Sequence, residues 1–169
     1  VRQHAGVFDV SHMTVVDISG AAASAFLSRL LANAVARLTT PGKALYSCML
    51  HDAGGVIDDL ICYWLGDDNY RLVVNAATRD KDMAWINSKA DAFTVEVREQ
   101  SDAAMIAVQG PKARELAAAC LSDTQAEASL ALKPFNGVPV DGLFVARTGY
   151  TGEDGFEIVG AAEDIIALW

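Results

Sequence analysis

Two carboxylates stand side by side in this chain, Asp58 and Asp59, directly after the double glycine Gly54–Gly55. The residues that follow, Leu60, Ile61, Cys62, Tyr63 and Trp64, are apolar and read as a strand. Neighbours on a strand point to opposite faces, so one carboxylate is expected to face solvent and the other to enter the apolar side. A desolvated Asp needs a hydrogen-bond partner or a raised pKa. Those are the properties of a group that polarises an amine or relays a proton. The same pair also fits the exposed start of a strand edge, and spacing alone does not decide between the two.

A second cluster runs from Arg147 through Thr148, Gly149, Tyr150, Thr151, Gly152, Glu153, Asp154, Gly155 and Phe156 to Glu157. Closely spaced glycines let a backbone approach a ligand. Tyr150 offers a flat face and a hydroxyl. Glu157 offers a carboxylate suited to a ring with adjacent N–H donors, such as an aminopyrimidinone. The plainer reading is a long hairpin turn carrying a tyrosine. The glycine spacing is not that of a phosphate-binding loop, and no lysine follows it. A third string, Asp9–Val10–Ser11–His12, holds the residue types of a hydrolase. A catalytic triad is a spatial constellation, however, and no G-x-S-x-G elbow is present. His12 therefore reads as structural or as a site wall. Tyr46, Tyr63 and Asn75 fall on expected strands, where packing alone accounts for each.

The elements expected to position these residues are strands over 14–19, 44–50, 56–65 and 70–74, then 93–97, 103–108, 143–146 and 156–159. Helices are expected over 20–32, with Asn33 as C-cap, and over 78–90, with Thr78 as N-cap. Another starts at Gly110–Pro111 with an apolar stripe reaching Leu121, and a last one covers 161–169. Residues 122–142 are the least patterned stretch. Hairpins joined directly to helices, without regular βαβ repetition, predict an α+β fold of mainly antiparallel sheets with flanking helices.

Composition narrows the partners. The chain has 169 residues, 52% of them hydrophobic, and a net charge of −9. Clustered Lys and Arg for a nucleic-acid backbone are lacking, so no nucleic-acid partner is expected. No apolar run approaches the about 20 residues that cross a bilayer, so no membrane partner is expected. Cys48, Cys62 and Cys120 lack paired or metal-type spacing and suggest buried, reduced thiols, with no metal site.

The strings GVFDVSHM (6–13), GKALYSCML (42–50), GGVIDDLI (54–61), RLVVNAATRDKD (71–82), AVQGPKA (107–113) and RTGYTGEDGFEI (147–158) occur in one order. Together they resemble the aminomethyltransferase, or T protein, family of the glycine cleavage system. The resemblance covers almost the whole chain and implies that it is a piece of a longer protein. That piece would be the folate-binding N-terminal region, 1–169, built of two intertwined lobes, without the family's C-terminal β-domain.

The resemblance also implies site roles. Asp59 matches the family's essential carboxylate, Tyr46, Tyr63 and Asn75 match folate-pocket residues, and Tyr150 and Glu157 match the pterin-contacting pair. A further pocket tyrosine of the family has no counterpart in the stretch 130–134. The implied reaction moves a methylene group from the aminomethyl-lipoyl arm of the partner H protein to tetrahydrofolate, releasing ammonia. Asp59 would activate the folate amine and stabilise developing positive charge. A bacterial cytoplasm or a mitochondrial matrix would be the compartment. Related alternatives are the folate-binding region of a dimethylglycine or sarcosine dehydrogenase, and a non-catalytic folate-binding factor.

Overall fold

The structure is a computed structural model that describes all 169 residues. In chain order its elements are β1 (Gly6–Asp9), β2 (Thr14–Ser19), α1 (Ala23–Leu30), β3 (Ala44–Leu50), β4 (Val56–Gly66) and β5 (Asn69–Val74). There follow α2 (Arg79–Ala90), β6 (Glu96–Glu99), β7 (Ala103–Gln109), α3 (Ala113–Ala118), α4 (Asp123–Leu130), β8 (Gly137–Val140), β9 (Leu143–Ala146), β10 (Gly155–Ala161) and α5 (Ala162–Leu168). The chain divides into two compact units. The first comprises Val1–His12 and Asp102–Trp169, and the second is the intervening Met13–Ser101. The fold is α+β, with every strand pairing antiparallel.

The second unit is a five-stranded sheet in the order β3-β4-β5-β2-β6. Its inward residues alternate along the strands: Val16 and Ile18 of β2, Leu60 and Cys62 of β4, and Leu72 and Val74 of β5. They pack with Phe26, Leu27 and Leu30 of α1 and Ile86 of α2. Phe26 meets Phe93 edge-on, with ring centroids 5.6 Å apart. The period of two in the strands thus matches the period of about 3.6 in α1, which is what lets one face of each be buried.

The first unit is a second five-stranded sheet, ordered β1-β7-β10-β9-β8. Ile106 and Val108, Val145, and Phe156 and Ile158 form its core with Ala113 and Ala117 of α3 and Ile165 of α5.

Several local expectations differ from what is seen. Helix α1 stops at Leu30, with Leu31 as C-cap. Asn33 instead donates its amide to the Tyr46 carbonyl at 3.0 Å. Pro111 precedes the helical start, because Lys112 is the N-cap of α3. The unpatterned 122–142 stretch holds α4, opened by a capping box in which Ser122 and Gln125 exchange side-chain-to-backbone hydrogen bonds. Cys62 is buried as expected, but Cys48 is half-buried and Cys120 exposed, because α3 ends at Ala118 before its stripe reaches Cys120.

Burial pushes the Cys62 thiol up to about 12. Brief treatment of the native chain with iodoacetamide should therefore alkylate Cys120 and leave Cys62 unmodified, read by peptide mass mapping.

Candidate functional site

In the second unit, β3 and β4 form a hairpin closed at its tip by Gly54, whose φ of 86° suits glycine, and by the hydrogen bond from the His51 N–H to the Gly55 carbonyl, 2.8 Å. The register pairs Met49 with Asp58 and Leu50 with Val56, so Ile57 is an extra residue in the ladder. This bulge bends β4 immediately before the two carboxylates. Lys81 of α2 holds it by donating Nζ to the Ile57 carbonyl at 2.6 Å.

The two carboxylates do not part to opposite environments as strand alternation predicts. Both are half-buried, and both accept from the same amide. Asn75 Nδ2 donates to Asp58 Oδ1 at 2.9 Å and to Asp59 Oδ1 at 2.7 Å. Leu60 pairs with Val74, which leaves Asn75 opposite Asp59 one step further along the same ladder. Tyr46, across β3 and 45% exposed, donates its hydroxyl to Asp59 Oδ2. It reaches Asp59 diagonally, since Cys48 is the direct cross-strand partner.

Asp58 accepts two further hydrogen bonds, from the Thr78 hydroxyl and from the Asp59 backbone N–H at 2.8 Å. Thr78 sits at the N-cap of α2, but its side chain makes no cap hydrogen bond. Its hydroxyl is turned instead to the Asp58 carboxylate, to which it donates a charge-assisted hydrogen bond. Desolvation pushes Asp58 upward, but the hydrogen bonds from Thr78, Asn75 and the Asp59 N–H outweigh it and hold the group at about 2. Asp58 is thus a fixed anion that anchors Asn75, and Asn75 in turn fixes Asp59. Replacing Asp58 by alanine should lower the melting midpoint by several degrees, through an unpaired Thr78 hydroxyl and a loosened Asn75, measured by thermal unfolding.

Tyr63 lies further along β4 and is buried, at 1% exposure.

In the first unit, the turn from β9 to β10 carries Tyr150, and Glu157 follows it on β10. Tyr150 is exposed, at 68%. Glu157 is buried and accepts a hydrogen bond from the Thr148 hydroxyl. Burial raises its pKa, and the Thr148 hydrogen bond offsets part of the rise. The turn is braced from below by Gln109 of β7, whose side chain is buried. Its amide donates to the Thr148 carbonyl at 2.9 Å, and its carbonyl accepts from the Thr151 hydroxyl at 3.0 Å.

Gly149 and Gly155 are required by that brace. A Cβ on Gly149 would lie 2.0 Å from Gln109 Oε1, and one on Gly155 would lie 2.1 Å from the Val108 carbonyl. At its base the turn is closed by a forked ion pair, with Arg147 Nε to Asp154 Oδ1 at 2.8 Å and Nη2 to Oδ2 at 2.7 Å. Arg114 of α3 adds a second cation 3.5 Å from Asp154.

Tyr46, Asp59 and Asn75 are thus brought together in one unit, and Tyr150 and Glu157 lie on one hairpin, turn and strand, in the other. Asp58, Thr78, Gln109 and Thr148 support these groups. Only the register and the fold show what their side chains face.

The two antiparallel five-stranded sheets with flanking helices form a fold shared with solved proteins. The chain is similar to the glycine cleavage system aminomethyltransferase T from Bartonella henselae, with 36% identity and a TM-score of 0.86, over 99% of this chain and 46% of that one. It also shares its fold with the heterotetrameric sarcosine oxidase from Corynebacterium sp. U-96, at 15% identity and a TM-score of 0.61, over 97% of this chain and 79% of that one. The sequence model of the GCVT N-terminal domain matches residues 1–169, and the chain belongs to that family. It spans about half the length, 46%, of the aminomethyltransferase it matches. No helix is long and apolar enough to cross a membrane.

Proposed function

We propose that the chain is the folate-binding part of a tetrahydrofolate-dependent aminomethyltransferase. The full protein would take a methylene group from the aminomethyl-lipoyl arm of an H protein, pass it to tetrahydrofolate and release ammonia. The observation that carries this reading is Asp59 itself. It is a half-buried carboxylate presented by Asn75 and by the hydroxyl of the partly exposed Tyr46. A carboxylate fixed in this way meets positive charge developing on an amine without having to reorganise.

In the first unit, considered by itself, Glu157 and Tyr150 suit a pterin ring. A buried carboxylate with one hydroxyl donor retains acceptor capacity for the N–H edge of a pterin, and an exposed tyrosine offers a stacking face. Tyr63 is assigned to the wall behind Asp59. Lipoyl transfer from H protein rests on membership of the family and on the 36% identity to an aminomethyltransferase T.

Calorimetric titration of the full-length protein with tetrahydrofolate tests the reading. Saturable binding that weakens in Glu157→Gln is expected. A full-length protein that binds no tetrahydrofolate would overturn it.

A further inference from the structure

Asp82, on the first turn of α2, is 0% exposed, and neither of its carboxylate oxygens accepts a hydrogen bond. The nearest cation is Lys81, whose Nζ is 4.0 Å away and is already committed to the Ile57 carbonyl. The groups that face Asp82 are the Asp58 carboxylate of β4, the Thr78 hydroxyl and Lys81 of its own helix. Asp58 takes the Thr78 hydroxyl, so no donor is left for Asp82. A bare carboxylate enclosed without donors and beside a second carboxylate is strongly disfavoured. The arrangement becomes satisfied if Asp82 keeps its proton and Asp58 accepts it.

We propose that Asp82 is a positioning residue for Asp59: its buried carboxyl donates a proton to Asp58, and Asp58 so held keeps the Asn75 amide, and with it Asp59, in place. Four groups then form one chain, from Asp82 to Asp58 to Asn75 to Asp59, and no charge beyond that of the two accepting carboxylates is buried. Desolvation and the facing Asp58 raise Asp82 to about 6, in line with this geometry. The sign for stability follows. The folded chain holds a proton that the unfolded chain releases near the ordinary 3.8, so the contribution is complete below 3.8 and is lost as pH rises to about 6.

The functional half of the proposal rests on the folate reading of Asp59, whereas the proton on Asp82 does not. The test uses full-length protein with 13C-labelled aspartate carboxyls, the Asp82 signal being assigned by its loss in Asp82→Asn. A protonated Asp82 titrating near 6 is expected, and titration at or below 3.8 overturns the proposal. The melting midpoint of the parent should also fall by several degrees relative to Asp82→Asn between those two pH values, and parallel curves would overturn it.

In kinetics, Asp82→Asn supplies an N–H donor to Asp58 and should hold kcat within about threefold, whereas Asp82→Leu should lower kcat at least about tenfold with KM for tetrahydrofolate little changed. Equal losses in the two variants overturn the donor role. If Asp59→Asn leaves turnover intact, the catalytic role of Asp59 and with it the functional half of the proposal fail, while the carboxyl titration still decides where the proton lies.

Discussion

Asp59→Asn in the full-length protein should lower turnover by about 10²- to 10³-fold while tetrahydrofolate affinity shifts less than about threefold. The substitution isolates charge from shape. Asparagine fits where Asp59 stands, and its carbonyl oxygen can still accept from Asn75 Nδ2, 2.7 Å away. Its amide would face the Tyr46 hydroxyl, which can rotate from donating to accepting. What disappears is the negative charge available to an amine that becomes cationic. Removing one group that acts on developing charge costs about 3–4 kcal/mol in other enzymes, which corresponds to the stated factor. Steady-state kinetics beside calorimetric titration of the same variant separates the two effects. Turnover within threefold of the parent would leave Asp59 without a catalytic role.

The second large effect concerns the glycine turn. Gly155→Ala should destabilise the chain by about 3 kcal/mol or more, lowering its melting midpoint by roughly 6–12 °C. The new methyl would meet the Val108 carbonyl at 2.1 Å, and that oxygen belongs to a ladder in which β7 and β10 pair over seven positions. Neither strand can retreat without breaking hydrogen bonds to β1 or β9. Gly54→Ala is the control. Its φ is also positive, but a Cβ there meets nothing within 4 Å, so only the conformational cost of about 1 kcal/mol remains. Thermal unfolding followed by circular dichroism measures both. Equal losses would show that close approach is not what fixes Gly155.

Much of this arrangement is visible in the amino-acid sequence. Strands β2, β3 and β5 carry clear runs of β-formers between turn residues, and their bounds are met to within a residue. The hairpin that presents Asp58 and Asp59 follows from Gly54–Gly55. Helix α4 is obscure because its eight residues bury only Ser129, so no apolar stripe marks it, although Ser122 and Gln125 have the spacing of a capping box.

The carboxylate network is harder to foresee. Strand alternation separates Asp58 from Asp59, and only the bulge at Ile57 and the register of Asn75 bring them to one amide. Thr78 has the look of a helix cap because capping is local, whereas its actual partner is twenty positions away. Asp82 left one trace. Thr78, Asp82 and Ile86 are spaced by four, which puts a carboxylate on the face that Ile86 buries.

The split of the first unit between the two ends of the chain bears on how the protein is made. Strand β1 has a single neighbour, β7, and Asp9 pairs with Ile106. At about 5–20 residues per second, a ribosome needs roughly 5–20 s to deliver that partner after Asp9 has been joined. During the delay the second unit, Met13–Ser101, is complete as a stretch of chain, while a short strand upstream of it waits with its backbone unpaired. The order of synthesis therefore makes the carboxylate hairpin an early product. The glycine turn comes late, because its brace Gln109 and its strand β10 are translated afterwards. A nascent chain released prematurely near residue 101 would hold Asp59 and Asn75 but would expose β1 as an open edge for the wrong partner.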